Sequence, residues 1–143
     1  MKIRIRRIDK SIPLPAYQTR GAVAFDLASR TTVVVPPKGV AYAPLNVCVE
    51  TPEAHMFFLA ARSSLQKRGL MLANSVGIGD QDFSGNDDEY TAALYNFTDA
   101  PVTVERGARI VQGIIKPIVK CEWEEVEDLG RPSRGGFGTT GAL

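Results

Sequence analysis

Short runs of valine, isoleucine and aromatic residues, each cut off by proline or glycine, leave this chain few ways to fold. "TTVVV" stops at "PPKG", and "VAYAPLNVCVE", "HMFFLAA", "YTAALYNFT" and "ARIVQGIIKPIV" follow in turn. Their periodicity is that of strands, because β-branched and aromatic side chains suit a pleated, half-buried surface. The one helical turn expected is "SSLQKR", which opens on serines able to cap it and stops at Gly69. Many short strands separated by turn signals imply an all-β sandwich, barrel or jelly roll. "IRIRR" reads as a strand with a charged outer face, and "CEWEEVED" alternates Trp123 with glutamates as an edge strand would. Alternation ends near residue 127, where "EDLGRPSRGGFGTTGAL" begins.

Composition narrows the partners. A chain of 143 residues with 44% hydrophobic content makes one compact domain with a real core. A formal net charge of +1 gives neither nucleic acid nor a membrane surface a basic face to bind, so neither is expected as a partner. Cys48 and Cys121 stand far apart with no CxxC or Cys/His pattern, which argues against a disulfide framework or structural zinc and for a reducing cytoplasm. No apolar run approaches membrane-spanning length, and "MKIRIRRIDK" lacks the apolar segment of a secretory signal.

Four stretches carry chemistry. In "NSVGIGDQDFSG", Asp80 and Asp82 are two apart and would point the same way in an extended strand; either one is a general base or the stretch is a hairpin turn. "ARSSL" offers an arginine fork, two hydroxyls and free backbone N–H groups, which suits either a phosphate cradle or a plain helix cap. In "RGARIVQ", Arg109 and Gln112 lie in an apolar strand, where buried polar groups need partners. The tail combines glycines, threonines, Arg131, Arg134 and Phe137, the contents of a nucleotide lid or of a disordered end. His55, the only histidine, sits beside "MFFLA" and reads as packed, and "NDDE" at 86–89 reads as a solvated turn.

In their order along one chain, these stretches resemble the five motifs of the trimeric dUTPase family (deoxyuridine triphosphate nucleotidohydrolases). The motifs are "AVAFDLAS", preceded by "LPAYQTRG", then "ARSSL", "NSVGIGDQDFSG", "GARIVQ" and "RGGFGTTG", and the resemblance runs from about residue 13 to the end. It implies a jelly-roll-like β-barrel of the β-clip kind over residues 1–129. A flexible arm over 130–143 would close a neighbouring site in a homotrimer whose sites are shared between chains. The activity implied is Mg2+-dependent hydrolysis of dUTP to dUMP and pyrophosphate, which limits uracil in DNA and supplies dUMP for thymidylate.

By the same similarity, Asp80 activates the attacking water, and Asp26 holds Mg2+ through water. Arg62, Ser63, Ser64, Gln112, Arg134, Gly138, Thr139 and Thr140 contact phosphates. Asn74, Gly77, Ile78, Phe83 and Phe137 take the base and sugar, while Asp82 is structural and Arg109 supports the site from behind.

The chain departs from the family pattern in places. Ala61 replaces a glycine, Gly79 an apolar residue, Phe83 a tyrosine and Ser84 a frequent arginine; "NDDE" lengthens the hairpin after Gly85, and Pro132 stands where the γ-phosphate arginine is usual. An altered uracil pocket is the consequence. The rival dCTP deaminase needs a glutamate where this chain has Ala93, and its tail lacks "GGFG". The remaining rival is a non-catalytic nucleotide sensor on the same scaffold.

Overall fold

The computed structural model describes residues 1–136, so Phe137, Gly138, Thr139 and Thr140 lie outside the described residues. Its strands are β1 (Ile5–Arg7), β2 (Phe25–Ala28), β3 (Val33–Val35), β4 (Val40–Pro44), β5 (Val47–Val49), β6 (His55–Ala61), β7 (Leu70–Leu72), β8 (Gly77–Gly79), β9 (Thr91–Asn96), β10 (Val102–Val104) and β11 (Arg109–Pro117). The expected helical turn is a 3-10 helix, Leu65–Arg68. Gly69 ends it at φ 78°, a left-handed conformation that glycine adopts without steric cost, and its N–H closes on the Gln66 carbonyl. Ser64 takes the N-terminal cap position but makes no side-chain cap bond.

The strands pair antiparallel into a four-stranded sheet, β2-β11-β6-β8, a three-stranded sheet, β4-β9-β7, and the pairs β1-β5 and β10-β3. This is a jelly-roll-like, all-β architecture. It fits the β-clip expected, although among the described residues the four sheets do not close into one barrel. Between them lies one core, which includes Leu27, Val35, Leu45, Phe57, Leu70 and Leu94. Period-two alternation builds it: on the four-stranded sheet, Phe57 and Leu59 point inward with Val111 of β11 and Leu27 of β2, while the residues between them face out.

Three local readings are corrected. The segment around Asn74 is not a hairpin, because β7 pairs with β9 and β8 with β6. Residues 73–76 instead turn a corner between sheets, with Ser75 at φ 64° and the Val76 N–H bonded to the Asn74 carbonyl at 2.7 Å. Trp123 is 91% exposed and lies in no strand, so its alternation with glutamates pairs with no strand among the described residues.

The acidic cluster is not simply solvated. Glu89 receives a two-bond fork from Arg30, at 2.8 and 2.9 Å, and the Asn46 N–H at 2.9 Å, with its side chain only 15% exposed. Arg6 donates to the Asn86 carbonyl at 2.8 Å, which fastens the same turn to β1. Glu89→Ala would leave Arg30 and the Asn46 N–H without this acceptor, so chemical denaturation is expected to report a loss of about 2 kcal/mol.

Candidate active site

The predicted residues gather into two groups. The first lies at one end of the four-stranded sheet, where Asp26, Gln112 and Ala60 stand in register on β2, β11 and β6. The Asp26 side chain is 10% exposed and bracketed by arginines, with Arg62 Nε 3.0 Å from Oδ1 and Arg109 Nη1 3.1 Å from Oδ2. Oδ2 nevertheless accepts no aligned hydrogen bond among the described residues. Arg62 also donates to the Arg109 carbonyl at 3.1 Å, and Gln112 Nε2 donates to the Ala61 carbonyl at 3.0 Å. Ser63 and Ser64 follow, exposed at the start of the 3-10 helix. The ensemble places two guanidiniums, one carboxamide and two hydroxyls on one edge, chemistry fitted to a phosphate chain.

The second group surrounds a cleft of about 400 Å³ lined by Asn74, Gly77, Ile78, Asp80, Phe83 and Tyr90. Gly77 and Gly79 face inward opposite Leu59 and Phe57, and Ile78, between them, is 63% exposed. Asp80 directly follows β8 and is exposed, with no hydrogen bond or ion pair to its carboxylate among the described residues. Because β8 stops at Gly79, Asp80 and Asp82 do not share a strand face; both border a second cleft with His55 and Lys120. His55 itself is half-buried, its Nδ1 2.8 Å from the Glu53 carbonyl.

One chain keeps Asp80 apart from Arg62. Gly79 pairs with Phe57 on β6, whereas Arg62 lies five residues farther along, about 17 Å away at the rise of an extended chain. Arg134 is exposed beyond the last strand and makes no ion pair among the described residues.

Residues 10–141 match the family model described as dUTPase. The chain belongs to the dUTPase family. Curated relatives named deoxyuridine 5'-triphosphate nucleotidohydrolase include that of Dictyoglomus turgidum, 36% identical over 148 residues and covering 99% of each chain. That of Helicobacter pylori is 35% identical over 144 residues, covering 99% of this chain and 97% of the relative. Among solved structures, dUTPase from Streptococcus mutans is 29% identical with a TM-score of 0.77, covering 83% of this chain and 98% of the other. The dUTPase of Staphylococcus bacteriophage 80alpha, solved with dUpNHpp, shares the fold at a TM-score of 0.85 and 21% identity over 99% of each chain.

Two features of this dUTPase escaped the sequence reading. The first is the contact of Arg109 with the Asp26 carboxylate itself. Its signal was available, since a lone carboxylate in an apolar strand needs a cation nearby. The second is Tyr90, which looked like the opening residue of a strand and in the fold stands at the floor of the cleft beside Asp80. Among the described residues no helix is long and apolar enough to cross a membrane.

Proposed function

We propose that this protein hydrolyses dUTP to dUMP and pyrophosphate at sites shared between the chains of a homotrimer. The observation that carries the reading is the separation of Asp80 from Arg62. A water aimed by Asp80 at the α-phosphorus must lie within a few ångströms of the groups that bind that phosphate, and about 17 Å of extended chain lies between Gly79, next to Asp80, and Arg62 along β6. The Asp80 cleft of one chain therefore meets the Asp26, Arg62 and Gln112 edge of another. The exposed segment after Pro117 supports this assembly, because Val119 and Trp123 are 93% and 91% exposed and find no partner among the described residues.

In this reading, Asp80 accepts a proton from the water as its oxygen bonds to the α-phosphorus. The bond from that phosphorus to the bridging oxygen breaks, and pyrophosphate leaves with the electron pair. Arg62, Ser63, Ser64 and Gln112 hold the phosphate oxygens while charge moves outward, joined by Arg134 and by the threonines and glycine of the arm. Phe83 packs on the deoxyribose, and main-chain groups from Asn74 to Ile78 read the uracil edge. The dUpNHpp held by the staphylococcal phage dUTPase supports a triphosphate of deoxyuridine as the ligand.

The residues present fit magnesium. No three His, Cys, Asp or Glu side chains cluster as a protein cage among the described residues, but Mg2+ on a triphosphate keeps its waters and needs only one or two carboxylates. Asp26, 10% exposed and with one carboxylate oxygen lacking an aligned donor, is the carboxylate suited to receive such a water. When bound, the ion would neutralise phosphate charge.

Incubation with dUTP, dCTP and Mg2+ tests the reading. Pyrophosphate with dUMP is expected from dUTP; ammonia from dCTP would indicate a deaminase, and no product from either would indicate a binder. Deleting residues 130–143 is expected to change unfolding stability by less than about 0.5 kcal/mol, since residues 130–136 are exposed and outside every strand. The same deletion is expected to slow turnover on the order of 100-fold, because the arm aligns and encloses the phosphates.

A further inference from the structure

Gly79 ends β8 and directly precedes Asp80. Its backbone does not require glycine, for its φ is not positive. What excludes a side chain there is Tyr90. A Cβ on Gly79 would collide with the phenol oxygen and stand only 2.6 and 2.7 Å from Cε1 and Cζ. The aromatic ring sits where an ordinary strand would place the side chain of residue 79.

Tyr90 is held from several directions. It is 5% exposed, and its edge-on contacts reach Phe57, the partner of Gly79 on β6, at 4.6 Å and Phe83, the aromatic of the cleft, at 5.1 Å. Its N–H donates to the Val47 carbonyl at 3.0 Å, and its own carbonyl accepts the Leu45 N–H at 2.8 Å. The residue before it is Glu89, fixed to Arg30. Burial pushes the phenol pKa up against the opposing pull of the neighbouring Thr51 side chain, and its oxygen is sealed from solvent, with no aligned hydrogen bond among the described residues. A sealed oxygen does not touch a ligand in the cleft, so any influence of Tyr90 on the reaction passes through Gly79 and Phe83.

We propose that Tyr90, seated in the space that Gly79 leaves, is a positioning residue for dUTP hydrolysis: it sets the strand end that carries Asp80 and backs the ring of Phe83. The proposal rests on the role given to Asp80 above. It makes Gly79 and Tyr90 one unit, in which a large residue at 79 requires a smaller one at 90. Close packing leaves no room for both, and a shift of about 1 Å at the base is enough to slow chemistry on the order of 100-fold.

A cycle of three variants tests it, with kcat and KM for dUTP, affinity for dUpNHpp and Tm measured for each. Gly79→Val is expected to lower kcat on the order of 100-fold with the folded fraction intact, because the valine pushes the chain away from Tyr90. Gly79→Val combined with Tyr90→Leu exchanges volume between the two sites and is expected to return kcat to within about tenfold of the parent. Tyr90→Phe keeps the ring and is expected to leave kcat within about threefold, with Tm little changed, since the hydroxyl makes no aligned hydrogen bond among the described residues.

Parental kcat in Gly79→Val, or a double variant no faster than that single one, would overturn the proposal. A Tyr90→Phe enzyme slowed 100-fold would overturn it too, by giving the hydroxyl a direct part in the chemistry. If Gly79→Val does not fold, a folded and active double variant still supports the interlock, and an inactive one refutes it. Asp80→Asn in the same assay separates the two readings: its failure to slow turnover removes the role of Asp80, whereas an inactive Asp80→Asn beside an unaffected Gly79→Val removes only that of Tyr90.

Discussion

Asp80→Asn is expected to bind dUpNHpp about as tightly as the parent protein and to release pyrophosphate from dUTP on the order of 1,000-fold more slowly, within the range for loss of a general base. The substitution is nearly isosteric, and the structure gives little reason for the fold to notice it. Asp80 is exposed just past β8, and its carboxylate makes no hydrogen bond or ion pair among the described residues. An amide in its place can still orient a water or a sugar hydroxyl, but it cannot take the proton. It also removes one negative charge from beside a triphosphate, which favours binding of the ground state. Calorimetric titration with the analogue and a pyrophosphate release assay separate the two effects. Parental turnover with the asparagine in place would end the assignment of Asp80 as base.

Residues whose function follows from local chemistry were legible in the sequence, and those whose function follows from packing were not. Valine-rich runs between Pro and Gly specify strands because the side chains suit a sheet surface, and Gly69 announces the end of the one helical turn. Gln112 in an apolar strand demanded a partner and has the Ala61 carbonyl. Sheet membership was harder to read, because β7 and β8 are neighbours in sequence yet pair in different sheets, so "NSVGIGDQDFSG" looked like a hairpin and opens on a corner.

Trp123 shows the limit from the other side. Its alternation describes a strand, but a strand needs an edge to pair with, and among the described residues this segment pairs with none. Gly79 could be seen as a departure from the family pattern, but not explained, because the ring that fills its place comes from eleven residues later, just before a strand of another sheet.

Two inactive proteins are expected to make an active one. Arg62→Ala removes a guanidinium from the phosphate edge and leaves the Asp80 cleft intact; Asp80→Asn does the reverse. Each should be slowed at least on the order of 100-fold alone, as for loss of a group that stabilises the transition state. If the two halves of a site belonged to one chain, mixing the variants would restore nothing, since every chain would carry one damaged half. The distance along β6, about 17 Å from Gly79 to Arg62, argues otherwise. With halves from different chains, a mixed oligomer contains sites that draw Asp80 from an Arg62→Ala chain and Arg62 from an Asp80→Asn chain. Equal amounts assembled at random place both intact halves together in about one site in four, so refolding the variants jointly should recover about a quarter of parental activity. Refolding them separately and mixing briefly should recover far less, as intact oligomers hold only their own chains. Recovery scaling with the product of the two chain fractions would also identify the active species as one that takes a half from each variant, and an absence of recovery on joint refolding would place the whole site within a single chain.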